Sequence, residues 1–293
     1  MASDTIYKSP EGEKILMDIY DRQLRSLNIE YDSRFIQTRF GDTHMITAGN
    51  KKGKPVVIFH GGNSTNPYNL KAFLHLLKNF RIYAPDTIGH PGRSAQTVLS
   101  SSDNSYGEWA ADVIGGIGPD RAGAIGISYG GGILARLAAV KPECIERAAF
   151  IVPSGIANSS LLSIIMKLGL PMIRYRMFPR KENLVKAVRP LINTDDIDED
   201  TLEMVEAVFK HVDVKAEMPR NAREDELARF NGPVMVIAAG RDVMFPGRKV
   251  LKRAEKIFAN LERPVLLDES SHMCFNVKSD RKRVHRLLEE FFN

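Results

Sequence analysis

The sequence predicts an α/β protein built on a mostly parallel, doubly wound sheet, with a helical insertion after the sixth core strand. Three observations predict it. Short, continuously apolar and β-branched runs, such as Pro55-Val56-Val57-Ile58-Phe59-His60, have the composition of strands buried on both faces. From there on, such runs alternate with helix-period segments, the pattern of crossovers in a parallel sheet. After Pro153 the alternation stops, and for about eighty residues only helical periodicity remains.

In chain order, residues 10–27 place Ile15, Ile19, Leu24 and Leu27 near helical spacing and predict an amphipathic helix. Residues 35–40 and 44–48 predict two antiparallel strands, with turns at Gly41-Asp42 and over 50–54. The strand 55–60 is followed by a helix over 70–80, a strand over 81–86 and a helix over 105–116. Next come a strand over 121–127, a helix over 130–140 and a strand over 147–152. Four helical stretches fill the insertion, at 160–170, 184–192, 201–212 and 225–230. The strand pattern resumes at 234–239, then a helix over 248–259, a strand over 264–267 and a closing helix over 281–292. The expected division is a core of residues 1–154 and 231–293 and an inserted helical unit of residues 155–230.

The 293 residues carry 41 Lys and Arg against 36 Asp and Glu, a formal net charge of +5. Apolar residues at 43% and charged residues at 26% exclude wholesale disorder. The longest apolar stretches, such as 233–239, fall far short of the roughly 18 residues of a membrane span, so no membrane insertion is expected. Met1-Ala2-Ser3-Asp4-Thr5 shows no basic region leading into an apolar core, so a secretory signal is not expected. Two cysteines, Cys144 and Cys274, make neither a disulfide framework nor a zinc spacing, and a reducing cytoplasm is the expected setting.

The charge is unevenly spread. Seven basic residues and one acid lie between 157 and 192, then seven acids and no base between 193 and 206. The blocks are expected to cancel as a solvated, salt-bridged surface, and without interleaved aromatics they argue against nucleic acid. No His, Cys, Asp or Glu cluster has metal-ligand spacing, and neither metal nor cofactor is expected. Gly130-Gly131-Gly132-Ile133-Leu134-Ala135 satisfies G-x-G-x-x-A after a strand. Phe150-Ile151-Val152-Pro153 stands where a dinucleotide site needs its acid, so these glycines read as close helix–sheet packing.

Gly126-Ile127-Ser128-Tyr129-Gly130 matches G-x-S-x-G at the junction of a predicted strand and a predicted helix, where a sharp turn would lift Ser128 above the sheet. Such a turn admits only small residues two places either side of the serine, as found. A serine hydroxyl is a weak nucleophile and needs a base held by an acid. Among seven histidines, His272 follows the last strand in a loop and can reach the carboxyl edge of the sheet. His44, His75, His211 and His285 fall in strands or helices and read as surface or half-buried packing. Asp242, just past the strand 234–239, is the preferred acid over Asp268, Glu269, Asp86 and Asp103. Two backbone donors for a developing oxyanion are expected, from Tyr129 and from the loop His60-Gly61-Gly62-Asn63, with Gly62 first and Asn63 second. His60 is expected to brace that loop by hydrogen bonds.

Together His60-Gly61-Gly62, Asp86-Thr87-Ile88-Gly89-His90-Pro91-Gly92-Arg93-Ser94, the pentapeptide around Ser128, Gly240-Arg241-Asp242 and Ser271-His272 resemble the α/β-hydrolase superfamily. Within it the chain is similar to the small, capped bacterial carboxylesterase-type serine hydrolases, from about Arg34 to the C-terminus. The order Ser128, Asp242, His272 is the one expected of that fold. The resemblance implies that the insertion is a cap and that the 86–94 loop, with Pro91 between His90 and Gly92, shapes the pocket entrance. It implies acyl transfer to Ser128 from a small to medium apolar ester. In the cap Leu161, Leu162, Ile165, Met166, Leu168, Met172, Met177 and Phe178 would pack together or in part line an acyl pocket; Met166, Met172, Met244 and Met273 are the substrate-binding candidates. A lactonase, thioesterase or carbon–carbon bond hydrolase would use the same three residues, and a non-enzymatic small-ligand sensor with a retained triad is the alternative of another class.

Overall fold

The computed structural model describes residues 5–193, 197–213 and 217–293; Met1 to Asp4, Asp195 and Asp196 lie outside the described residues. Eight strands form one sheet: β1 (Tyr31–Thr38), β2 (Gly41–Gly49), β3 (Lys54–Phe59), β4 (Phe80–Pro85), β5 (Ala122–Ile127), β6 (Ile145–Ile151), β7 (Val234–Ala239) and β8 (Leu261–Leu267). Their order is β1-β2-β4-β3-β5-β6-β7-β8. The β1–β2 and β2–β4 pairs are antiparallel, and every pair from β4 across to β8 is parallel. The helices are α1 (Pro10–Ser26), α2 (Asn66–Leu70), α3 (Ser105–Ile117), α4 (Tyr129–Val140), α5 (Leu161–Ile164), α6 (Leu170–Met177), α7 (Lys181–Ile192), α8 (Glu199–His211), α9 (Glu224–Leu227), α10 (Gly247–Ile257) and α11 (Lys278–Phe292). A π-helical turn, Ile165–Gly169, joins α5 to α6.

Alternate strand residues feed two cores. Val57, Phe59, Ala124, Phe150 and Val236 pack beneath α3, α4 and α10, against Trp109, Ile133, Leu134 and Val250. Val56, Ile58, Ile125, Ile151 and Ile237 face the other way, against Tyr20 of α1, Phe73 and Leu76, and Val284 and Leu288 of α11. Burial on both faces explains why these strands read as unbroken apolar runs. Chain direction across the sheet reverses about β3, which lies between β4 and β5. Ligand crevices of open parallel sheets form outside the carboxyl ends of strands at such a switch point, here the loops after β3 and β5.

Several expectations need correction. The hairpin turns at Arg39-Phe40 rather than Gly41-Asp42, because both residues after it already belong to β2. The helix expected over 70–80 is α2 followed by a 3₁₀ stretch, Lys71–Lys78, and Phe80 opens β4. The insertion does lie between β6 and β7, but α5, the π turn and α6 run on to Met177, past the expected end at 170. His44 is not a surface residue: it is 1% exposed and bonded on both ring nitrogens. Among the described residues the acid block divides its ion pairs between the basic block and other segments. Lys181 meets Glu199 at 3.4 Å, but Glu203 pairs with Arg22 and Asp200 with Lys71, outside the basic block.

The end of the insertion is fastened to α4 by charge. Arg136, 2% exposed, donates to Glu226 at 3.2 Å, and Arg220 forks onto the same carboxylate. Arg220 first, with the Arg223 amide and Arg136, holds the Glu226 carboxyl down to about 2. Removing one partner of a buried pair leaves the other uncompensated. Glu226→Gln should therefore lower the unfolding free energy by about 3 kcal/mol, read from urea titrations at neutral pH.

Candidate active site

Strand β5 ends at Ile127, α4 begins at Tyr129, and Ser128 alone makes the turn, with φ 51° and ψ −116°. The tightness is imposed from behind. A β-carbon at Gly130 would stand 2.0 Å from the Phe59 carbonyl oxygen of β3. The following glycines lie against Pro153 and Pro219, which gives the glycine run a packing role.

His272 Nδ1 lies 2.8 Å from Asp242 Oδ2, and His272 Nε2 lies 2.9 Å from Ser128 Oγ. An ionised carboxylate only accepts, so Nδ1 carries the proton and the Nε2 lone pair faces the hydroxyl. Asp242 is fully buried at its carboxylate, and its other oxygen accepts the amides of Met244 at 2.8 Å and Phe245 at 3.1 Å. The His272 side chain is only 11% exposed and meets the Phe245 ring edge-on at 5.3 Å. In this arrangement the imidazole can take the Ser128 proton, and the carboxylate can hold the resulting cation. The rival acids are occupied elsewhere: Asp268 with Arg248, Glu269 with Arg241, and Asp103 with Ser105.

Of the expected oxyanion donors, Tyr129 is the first residue of α4, and its N–H has no partner among the described residues. In the loop after β3, Gly61 N–H donates to Asn69 Oδ1 at 3.2 Å and Asn63 N–H donates to His90 Nδ1 at 3.3 Å. Gly62 N–H between them is unengaged among the described residues. Gly62 also lies against Tyr129, where a β-carbon would come within 3.0 Å of Tyr129 Cβ. Gly62 and Tyr129 are thus the pair with free amides; Asn63, the second choice, has its amide committed.

The loop is braced by two buried histidines. His60 Nδ1–H donates to the Gly61 carbonyl at 2.7 Å, and its Nε2 accepts the Thr87 amide at 2.9 Å. Burial, then the neighbouring His60, lowers His90 to about 3, and burial lowers His60 as well, so both are neutral. His90 was not singled out in the sequence; only its place in the 86–94 run hinted at it. That run, expected at a pocket entrance, is buried except at Arg93.

A second array of the same residue types lies beyond it. Ser33 Oγ is 2.7 Å from His44 Nε2, and His44 Nδ1 is 3.1 Å from Asp86 Oδ2. Tyr20 OH donates to Asp86 Oδ1 at 3.0 Å, tying α1 to the sheet. Ser33 sits within a paired strand opposite Ile46, with no helix N-terminus or glycine loop beside it. This array holds structure together.

The methionine candidates divide. Met244 and Met273 flank the Asp242 and His272 loops and are partly buried; Met172 shares a cluster with Met273. Met166 is 57% exposed and is not brought to the array. Leu161, Leu162, Ile165, Met177 and Phe178 are likewise exposed, so they are not packed within the insertion. A cleft of about 460 Å³ in the insertion is lined by Tyr175, Leu184, Leu202 and charged residues, and contains none of the array. Among the described residues no cluster of His, Cys, Asp or Glu could hold a metal ion, and no helix is long and apolar enough to cross a membrane.

Two stability measurements test this geometry. At φ 51° a β-carbon is strained and glycine is not. Ser128→Gly should therefore be about 1 kcal/mol more stable than Ser128→Ala in urea titrations; equal stability would contradict the strain. His90 is lowered in the folded state, so the unfolded chain binds the extra proton between about pH 6.5 and 3. Stability is complete above that window and falls as pH drops into it. From pH 7 to pH 5 His90 should contribute a loss of about 2 kcal/mol, which His90→Gln removes.

The chain matches the model of the alpha/beta hydrolase family over residues 56–287. Carboxylesterase YbfK of Bacillus subtilis (strain 168) is 31% identical over 135 residues, 46% of this chain and 46% of that protein. An uncharacterized carboxylesterase, nap, of the same organism is 29% identical over 135 residues, 46% of this chain and 45% of its own. The aligned region spans about half the length of these curated relatives. The crystal structure of naproxen esterase (carboxylesterase NP) from Bacillus subtilis superposes with a TM-score of 0.83 at 20% identity, covering 98% of this chain and 100% of that one. At that identity the likeness speaks for the fold. With the family model covering most of its length, the chain belongs to the alpha/beta hydrolase family.

Proposed function

We propose that the protein is a serine carboxylesterase acting on carboxylic esters of small to medium apolar groups, with residues 155–230 as a cap over the core. The observation that carries the reading is the continuous contact from Ser128 Oγ through His272 to Asp242, at 2.9 and 2.8 Å. The carboxylesterase names of the two partial relatives support the choice of ester over other acyl groups. In this reading Ser128 Oγ attacks the ester carbonyl carbon while His272 Nε2 takes its proton and Asp242 stabilises the imidazolium. The Gly62 and Tyr129 amides hold the oxyanion, each worth about 3 kcal/mol by analogy with known holes. The tetrahedral species collapses, and the leaving alkoxide takes the proton from His272. Water then attacks the acyl-serine, passes its proton to His272, and Ser128 leaves with that proton. In the same reading Met244 and Met273, partly buried beside the two loops, touch the substrate. The reading extends to a reducing compartment, since Cys144 and Cys274 are both buried and unpaired.

A fluorophosphonate should label Ser128 and no other residue. Ser128→Ala should abolish p-nitrophenyl ester hydrolysis with an unchanged circular dichroism spectrum; a variant with normal turnover refutes the assignment. Asp242→Asn should lower kcat by about 10⁴-fold. Asp268→Asn, at an exposed residue paired with Arg248, should leave kcat nearly unchanged, and the reverse ranking would exchange the two carboxylates.

A further inference from the structure

Eight of the ten large apolar side chains that are exposed among the described residues fall between Leu161 and Phe178. They are not scattered. Leu162, Met166, Leu170, Ile173 and Met177 recur at intervals of four, four, three and four along α5, the π turn and α6, forming one stripe. Leu161 and Leu162 are 72% and 71% exposed, and only Tyr175 in this stretch is buried. The stripe is flanked by exposed Lys167, Arg174, Arg176, Arg180 and Lys181, and residues 157–181 contain no acid. Of these five cations only Lys181 has an acidic partner among the described residues.

We propose that this face adsorbs to an anionic phospholipid surface, with the stripe in the acyl boundary and the cations at the headgroups. An apolar helical face bordered by Lys and Arg is the composition of a helix that lies in a membrane interface, and its length excludes a span. A second copy of the chain fits less well. A two-fold contact on this face would bring two acid-free sets of cations into one apolar interface. The face begins close to the candidate site: Ser159, two residues before α5, donates its amide to the Met244 carbonyl at 2.8 Å and its hydroxyl to the Val243 carbonyl at 2.8 Å. Surface binding does not rest on the esterase reading, because it is measured without turnover.

The test is co-sedimentation of the full chain with sucrose-loaded vesicles of phosphatidylcholine alone or with phosphatidylglycerol added, at low and high salt. The protein should sediment with the anionic vesicles only and be released by salt. Leu170→Glu with Ile173→Glu, both at exposed positions, should weaken binding by at least about tenfold while leaving the Tm unchanged. No binding to anionic vesicles, equal binding to neutral ones, or full binding by the double variant overturns the proposal. So does a concentration-dependent dimer, seen by sedimentation velocity without lipid, that the same variant abolishes; this would assign the face to a second copy.

Discussion

The contact on which the rest of the molecule depends is the passage of α4 over β3 at Gly130. A helix that close to the Phe59 carbonyl cannot be reached from β5 by a relaxed loop, so one residue makes the whole turn. That residue, Ser128, takes a φ of 51°, a strain of order 1–3 kcal/mol for a side chain with a β-carbon. Such strain persists only where neighbours over-determine it. The Ser128 carbonyl accepts from Gly131 N–H at 2.9 Å and from both the amide and the hydroxyl of Ser154 at 3.0 Å, and its own amide donates to Ile151 at 3.0 Å. Val152, where β6 gives way to the insertion, is also held at a positive φ of 40°, rare for a β-branched residue. The two strained residues are joined through the same strand end.

A similar economy governs the other edge of the site. The loops after β7 and β8 touch so closely that a β-carbon at Gly240 would stand 2.3 Å from the Asp268 carbonyl. Arg241 N–H donates to the Ser270 carbonyl at 2.9 Å, so the segments bearing Asp242 and His272 are tied to each other. Two backbone amides fix the remaining Asp242 oxygen, which leaves Oδ2 a single direction in which to receive the imidazole. Orientation thus comes mainly from the backbone, and the side chains inherit it.

This division explains what was legible in the sequence. Buried strands advertise themselves because burial on two faces leaves no polar alternation, and the Ser128 turn does so because its glycines are a local steric demand. Asp242 and His272 stand out in the sequence because both lie just past strand ends. What depends on distant partners was not legible. Residues 71–78 have helical spacing, and their choice of a 3₁₀ form over an α-helix is a tertiary outcome that spacing cannot express. The burial of His44 depends on Tyr20, Ser33 and Asp86 arriving from three other segments. The apolar residues of 161–178 carry the periodicity of a packed helix, and periodicity records that a face is apolar without recording what covers it.

The insertion bears on the site through some of its fastenings. Met273 N–H, next to His272, donates to the Leu191 carbonyl of α7 at 2.8 Å, while Ser159 grips the strand end that carries Asp242. Ala222 N–H returns to the Gly155 carbonyl at 2.7 Å, and Glu226 closes the unit onto Arg136, two turns into the helix that Ser128 begins. Those of Met273, Ser159 and Glu226 end within a few residues of the array or on α4, whereas α8 is also fastened to α1 by Glu203 and Arg22. The insertion is thereby joined to the segments that carry the imidazole, the carboxylate and the elbow. Side chains as exposed as Leu161 and Leu162 gain almost nothing from folding, because they leave so little of their surface behind. Whatever contact that outward face makes acts on a segment that Ser159 ties to the loop bearing Asp242.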